Sequence, residues 1–176
     1  MLPHRPTSPS LTKTCPLTAR QSEWDVASER QRGERGLEQA VERLEAADAR
    51  ADEDGALIAL VEAVAWVTAL DEWLLANLPS YTQPCRDSDP SGEVVHAMRW
   101  ARNRGLHQLA ALHDVALGFI WPLSWPAKSR HLVWRDRSEV TPGRSDSKGE
   151  RLYDKRLVGK TVGSTLSSAM DFLKKS

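Results

Sequence analysis

Between Ala56 and Leu78 the chain runs helical in pattern and apolar on nearly all sides, with only Glu62, Asp71 and Glu72 charged, until Pro79 stops it. A helix with no polar face cannot lie on a surface, so other elements must surround it. Its greasiest part, Ala56 to Leu70, is 15 residues long and already holds Glu62, whereas a bilayer-spanning helix needs about 20 apolar residues. The segment therefore reads as the middle of a helical bundle rather than as a membrane anchor.

The flanking segments supply the neighbours. Leu37, Ala40, Val41, Leu44, Ala47 and Ala51 recur three and four residues apart, the mark of an amphipathic helix, with Gly33 and Gly36 expected to break it from an earlier helical piece around Trp24. Pro79 to Gly92 reads as a loop whose Asp89 or Ser91 caps a third helix. That helix is expected to reach Ile120, on a stripe of Met98, Ala101, Gly105, Leu109, Leu112, Ala116 and Ile120, before Trp121 and Pro122 close it. Beyond Pro126, His131 to Trp134 reads as a short strand, Val140 to Gly149 as a polar loop, and Val162 to Leu173 as a final amphipathic helix. The expected fold class is all-α: a helical bundle over residues 19–126, a Pro-rich disordered tail over 1–18, and a small irregular C-terminal extension over 127–176 that packs on the bundle and ends in a short helix.

Composition narrows the class of function. The net charge of zero conceals an asymmetry: residues 20–54 carry six basic and eleven acidic side chains, and residues 128–160 carry ten basic and five acidic. A polyanion would approach the second half. Cys15 and Cys85 are too few for a disulfide framework, and the N-terminus lacks the apolar stretch of a signal peptide, so the expectation is a cytoplasmic protein without membrane attachment. Seven of eleven aromatic residues are Trp, which supplies large, rigid core pieces.

Several chemistries fail on spacing. Gly159-Lys160-Thr161 resembles the end of a phosphate-binding loop, but position 154, where that motif needs Gly, is Asp. No Ser stands in a nucleophile elbow, and neither Cys has a base beside it. His96, His107 and His113, placed on one helix, are eleven and six apart, which misses the spacing of three or four that puts two ligands on one face, so no metal and no cofactor are expected.

The segment that stands out is Trp100-Ala101-Arg102-Asn103-Arg104-Gly105-Leu106-His107. On a continuous helix Asn103 and His107 share a face one turn apart, and Arg102 can reach round toward them. Arg102, a small polar residue, three more residues and then His107 resemble the signature of the HEPN superfamily, all-helical domains that include ribonuclease toxins and defence nucleases. The resemblance covers these six residues and the surrounding bundle, roughly residues 20–121. It implies a motif on a late helix, a homodimer in which two motifs share a cleft, and metal-independent cleavage of RNA. Arg102, Asn103 and His107 would be catalytic: Arg102 holding phosphate oxygens through a forked pair of hydrogen bonds, and His107, with an ordinary pKa of about 6.5, moving a proton. One His cannot readily serve as both base and acid, and a two-fold dimer supplies the second. Attack by the 2′-hydroxyl leaves a 2′,3′-cyclic phosphate.

Arg99, Arg104, Lys155 and Arg156 are the expected backbone-binding cations, and Glu62, Thr68 and Asp71 the possible auxiliary residues from the apolar helix. A second reading is a non-catalytic HEPN-like dimerisation or interaction module that serves a partner protein such as an antitoxin. A third is an RNA-binding regulator working through the basic residues of 128–160. For single features the plainer alternatives are a hydrogen-bonded Asn–His pair at a packing surface, Trp100 as a core residue rather than a base-stacking platform, and the Arg151 to Lys160 cluster as a solvated face.

Overall fold

A computed structural model describes residues 17–105, 110–116, 128–139 and 145–176, with side chains described from residue 27 onward except at 112–116 and 128–130. Among the described residues six α-helices dominate: α1 (Leu17–Ala49), α2 (Glu53–Asn77), α3 (Gln83–Ser88), α4 (Pro90–Arg102), α5 (Ser147–Arg156) and α6 (Val162–Lys175). Two strands, β1 (Ala110–Ala116) and β2 (Lys128–Trp134), pair antiparallel, with Ala110 opposite Trp134 and Ala116 opposite Lys128. The molecule is a helical bundle with one β-ribbon attached.

Side chains start the helices where the sequence places acceptors for unpaired N–H groups. Asp52 accepts from the Gly55 N–H at 3.0 Å, and Glu53 and Asp54 complement the positive end of α2. Asp89 accepts from Ser91 and Gly92 ahead of α4, with Pro90 at its first position, and Asp146 accepts from Gly149 at α5.

The expected enclosure of the apolar helix is only partly met, for Ile58, Val61, Ala65 and Ala69 along its outer face stay exposed. α2 packs along α1 on one side and against α4 and α6 on another, burying Leu60, Val64, Val67, Leu70 and Leu74. The core is one continuous cluster that also takes in Leu132 and Trp134 of β2, Leu152 and Tyr153 of α5, and Val162, Leu166, Ala169 and Leu173 of α6. The basic C-terminal segment thus shares its core with α1, α2 and α4. Among the described residues no helix is long and apolar enough to cross a membrane.

Four expectations are corrected. α1 is unbroken, because Gly33 and Gly36 are where it meets α2: a Cβ on Gly33 would come within 2.7 Å of Leu70, and one on Gly36 would overlap the Trp66 indole. These glycines permit close approach rather than a break. The stretch expected as loop from Pro79 to Gly92 contains α3. The polar loop expected to run to Gly149 gives way at Ser147 to α5, a helix not anticipated. Finally, the third helix does not reach Ile120. It ends at Arg102, Asn103 is its C-terminal cap, Gly105 takes a positive φ of 84°, and the chain returns as β1. Ala-rich sequence at three-residue and four-residue spacing tolerates either state, and pairing with β2, whose Leu132 and Trp134 belong in the core, decides for the strand. The expected tail over residues 1–18 falls largely outside the described residues; the helix begins at Leu17.

Candidate functional site

The last turn of α4 carries Arg99 and Arg102 on the side facing α2. The Arg102 guanidinium donates to Thr68 Oγ1 at 2.8 Å and lies 3.8 Å from Glu72, yet its side chain stays 39% exposed. Arg99 lies 3.4 Å from Glu72 and 3.5 Å from Asp71. Thr68 is buried and donates in turn to carbonyls of its own helix, so it holds Arg102 from a fixed position. Two of the three auxiliary candidates, Thr68 and Asp71, therefore meet the arginines of α4. Glu62 does not: it pairs with Arg43 of α1 at 2.6 Å.

Beneath the arginines lies a buried polar network that sequence reasoning missed. Asp71, fully buried, accepts from Tyr81 Oη at 2.7 Å and from Arg86 Nη1 at 2.6 Å. Arg86, almost fully buried, also donates through Nε to Asp87 at 2.9 Å, and Asp87 accepts as well from Lys148 and stands 3.0 Å from His96 Nδ1. Burial opposes ionisation of Asp87, but hydrogen bonds from Lys148, Arg86 and His96 outweigh it and lower the carboxyl to about 2. Burial and the neighbouring Asp71 carboxylate raise the Tyr81 phenol well above its usual range, so it remains a donor. The network joins α2, α3, α4 and α5. No periodicity marks it, because Tyr81, Arg86 and Asp87 come from a stretch that reads as loop.

The other expected cations are engaged elsewhere. Arg104 stacks over Trp100 at 4.9 Å from the ring centroid and pairs with Glu150 at 3.2 Å. Lys155 and Arg156 both close on Glu93, at 2.9 and 2.6 Å, and these contacts, Lys155 first, hold the Glu93 carboxyl below its ordinary value. Trp100 is buried against Tyr153, with centroids 4.7 Å apart, which makes it a core residue rather than a stacking platform. Asn103 is exposed at the end of α4. The expected helical face shared by Asn103 and His107 is corrected, because α4 ends before both residues and Gly105 reverses the backbone between them; His107 itself lies outside the described residues.

Among the described residues no group of three or more His, Cys, Asp or Glu is arranged to hold a metal. Comparisons with protein-family models, with curated proteins and with solved structures find no match to this chain.

Proposed function

We propose that the chain is a metal-independent endoribonuclease of toxin or defence type whose site is built on Arg102 and His107 and completed by a second copy. The observation that supports this reading is the state of Arg102: its guanidinium is fixed by a buried hydroxyl while nearly two fifths of its side chain meets solvent, and Arg99 stands beside the same Glu72. An arginine held in one place with donors to spare suits a phosphate whose charge grows in the transition state. Glu72 is exposed, so an incoming phosphate can displace it at little cost. His107 follows five residues later and supplies the proton-transfer group.

The test is incubation of the full chain with total RNA in EDTA, beside Arg102→Ala and His107→Ala variants of verified fold. The expected outcome is cleavage leaving 2′,3′-cyclic phosphate ends, reduced about 100-fold or more by either substitution. A folded protein that leaves RNA intact, or that cuts equally well without Arg102, overturns the reading.

A second reading, an interaction module, is favoured by the outer face of α2. Ile58 is 70% exposed and Val61 46%, and with Ala65 and Ala69 they form an uncovered apolar stripe at helical spacing. Under this reading the stripe takes a second copy or a partner protein. Ile58→Asp with Val61→Asp then abolishes association in light scattering while the thermal midpoint of the isolated chain stays unchanged.

A further inference from the structure

Between Asp54 and Ala76 the exposed residues of α2 are Asp54, Ile58, Val61, Ala65, Ala69, Glu72 and Ala76, and all fall on one stripe. Their steps are four, three, four, four, three and four residues, so the stripe reads the same from either end, with Ala65 at its centre. Eleven residues in three turns stays close to the period of about 3.6, which keeps the stripe on one side of a straight helix over about 33 Å.

Two antiparallel helices related by a two-fold axis set one sequence against the reverse of the other, and residue i must meet j wherever j meets i. The stripe meets this condition when Ala65 of one copy faces Ala65 of the other. Val61 then faces Ala69, Ile58 faces Glu72 and Asp54 faces Ala76, in both directions. Near the axis a larger side chain meets a small one, as interdigitated packing needs. The charges agree with this register. Glu72 stands 3.4 Å from Arg99 and 3.8 Å from Arg102, so its carboxylate is compensated where Ile58 of a second copy lies against its stem. Asp54 of the second copy arrives one turn further on, about 6 Å along the helix, and brings its acid toward Arg99. Ile58, 70% exposed, and Val61, 46% exposed, are the large apolar side chains that such a contact covers. A different protein could also cover them, but its contact calls for no symmetry in the stripe.

We propose that α2 pairs with α2 of a second copy, antiparallel and two-fold symmetric about Ala65. The pairing rests on the exposed stripe and not on RNA cleavage, and its test reads mass and cross-linking rather than activity.

The experiment uses the full chain carrying Cys15→Ser and Cys85→Ser, with single cysteines introduced on the stripe. Light scattering at micromolar concentration is expected to give twice the mass of the chain. Ile58→Asp with Val61→Asp is expected to return it to the mass of one chain with an unchanged circular dichroism spectrum. Under mild oxidation Ala65→Cys is expected to form a disulfide-linked dimer. A mixture of Val61→Cys and Ala69→Cys chains is expected to link one variant to the other. Val61→Cys alone is expected not to link, because antiparallel pairing sets the two positions 61 about 12 Å apart along the axis, beyond the span of a disulfide. A dimer in which Ala65→Cys fails to link, or in which Val61→Cys links to itself, overturns the register. A monomeric parent chain overturns the proposal and leaves the stripe to a different protein, and a dimer that survives Ile58→Asp with Val61→Asp overturns it by placing the contact on another face. RNA cleavage by a chain that fails these tests leaves the nuclease reading standing and this interface overturned.

Discussion

Asp87 shows how a single side chain sets a pH limit. Arg86, Lys148 and His96 converge on its carboxylate, which lowers it from 3.8 to about 2 in the folded chain. A carboxyl depressed on folding adds stability that is fully present above its unfolded value and is lost as pH falls through its folded one. The contribution is therefore complete above about pH 4, fades between about pH 4 and pH 2, and is worth about 2 kcal/mol, since the side chain is only 9% exposed. Urea unfolding of the parent and Asp87→Asn chains at pH 7 and pH 2.5 checks this: the parent is expected to lose about 2 kcal/mol more than the variant between the two pH values, and equal losses would refute the assignment. Arg86 matters for a related reason. It faces buried Asp71 on one side and half-buried Asp87 on the other, so neither acid stands uncompensated. Asp71 was legible as a polar residue inside an apolar helix. Its partners were not, because Tyr81 and Arg86 reach it only through the turn that follows α2 and through α3.

At the scale of elements, the glycines of the helices separate close approach from simple flexibility. Gly36 in α1 faces the Trp66 ring with no room for a methyl group, whereas Gly163 in α6 has nothing within 4 Å of where a Cβ would stand. Gly36→Ala gains up to about 1 kcal/mol of helix propensity but forces the indole aside, and overpacking of this kind costs about 1 to 3 kcal/mol. The expected net effect is a loss of stability, while Gly163→Ala is neutral or gains up to about 1 kcal/mol. Thermal unfolding of the two variants decides, and a stabilised Gly36→Ala would mean that the α1–α2 contact is looser than described. The same contact explains why α1 continues through two glycines that in isolation favour a break: packing along α2 offsets what propensity costs. In α4 the balance runs the other way. The apolar spacing from Met98 onward fits a longer helix, but Gly105 in the left-handed region and the pairing of β1 with β2 end it at Arg102.

At the scale of the whole molecule, α6 ties the end of the described chain to its beginning. Leu166 and Leu173 enter the cluster that holds Leu37, Leu44 and Leu60, Arg30 of α1 donates to the last carbonyls of α6, and Trp134 Nε1 donates to Thr165 Oγ1 at 2.8 Å. A single core of this kind unfolds as one unit. Leu166→Ala, at a fully buried position, is expected to cost about 2 to 5 kcal/mol and to raise hydrogen exchange in α1 and α2 as much as in α6. Exchange that rises in α6 alone would show that the C-terminal segment is a separate unit. The charge asymmetry read along the sequence is likewise reshaped by folding. Lys155 and Arg156 of the basic segment spend their charge on Glu93, and Arg104 of α4 spends its own on Glu150, so Arg102 and Arg99 become the cations best placed for an outside anion at the end of α4.

The amino-acid sequence determined that this chain is a helical bundle containing an apolar α2, where that helix stops, that a new helix starts at Asp89 or Ser91, that β2 contains His131 to Trp134, and that the last described element is an amphipathic helix. Each of these rests on local chemistry: a run of side chains that water rejects, an acceptor that meets unpaired N–H groups, a proline that cannot continue a helix. Only the tertiary structure decided that Gly33 and Gly36 are contact points, that residues 110–116 form a strand, that Arg86 is buried between two acids, and that His113 stands opposite His131. Those outcomes depend on partners distant in sequence, and the free energy of meeting them exceeds the roughly 1 kcal/mol by which a residue prefers one backbone state to another.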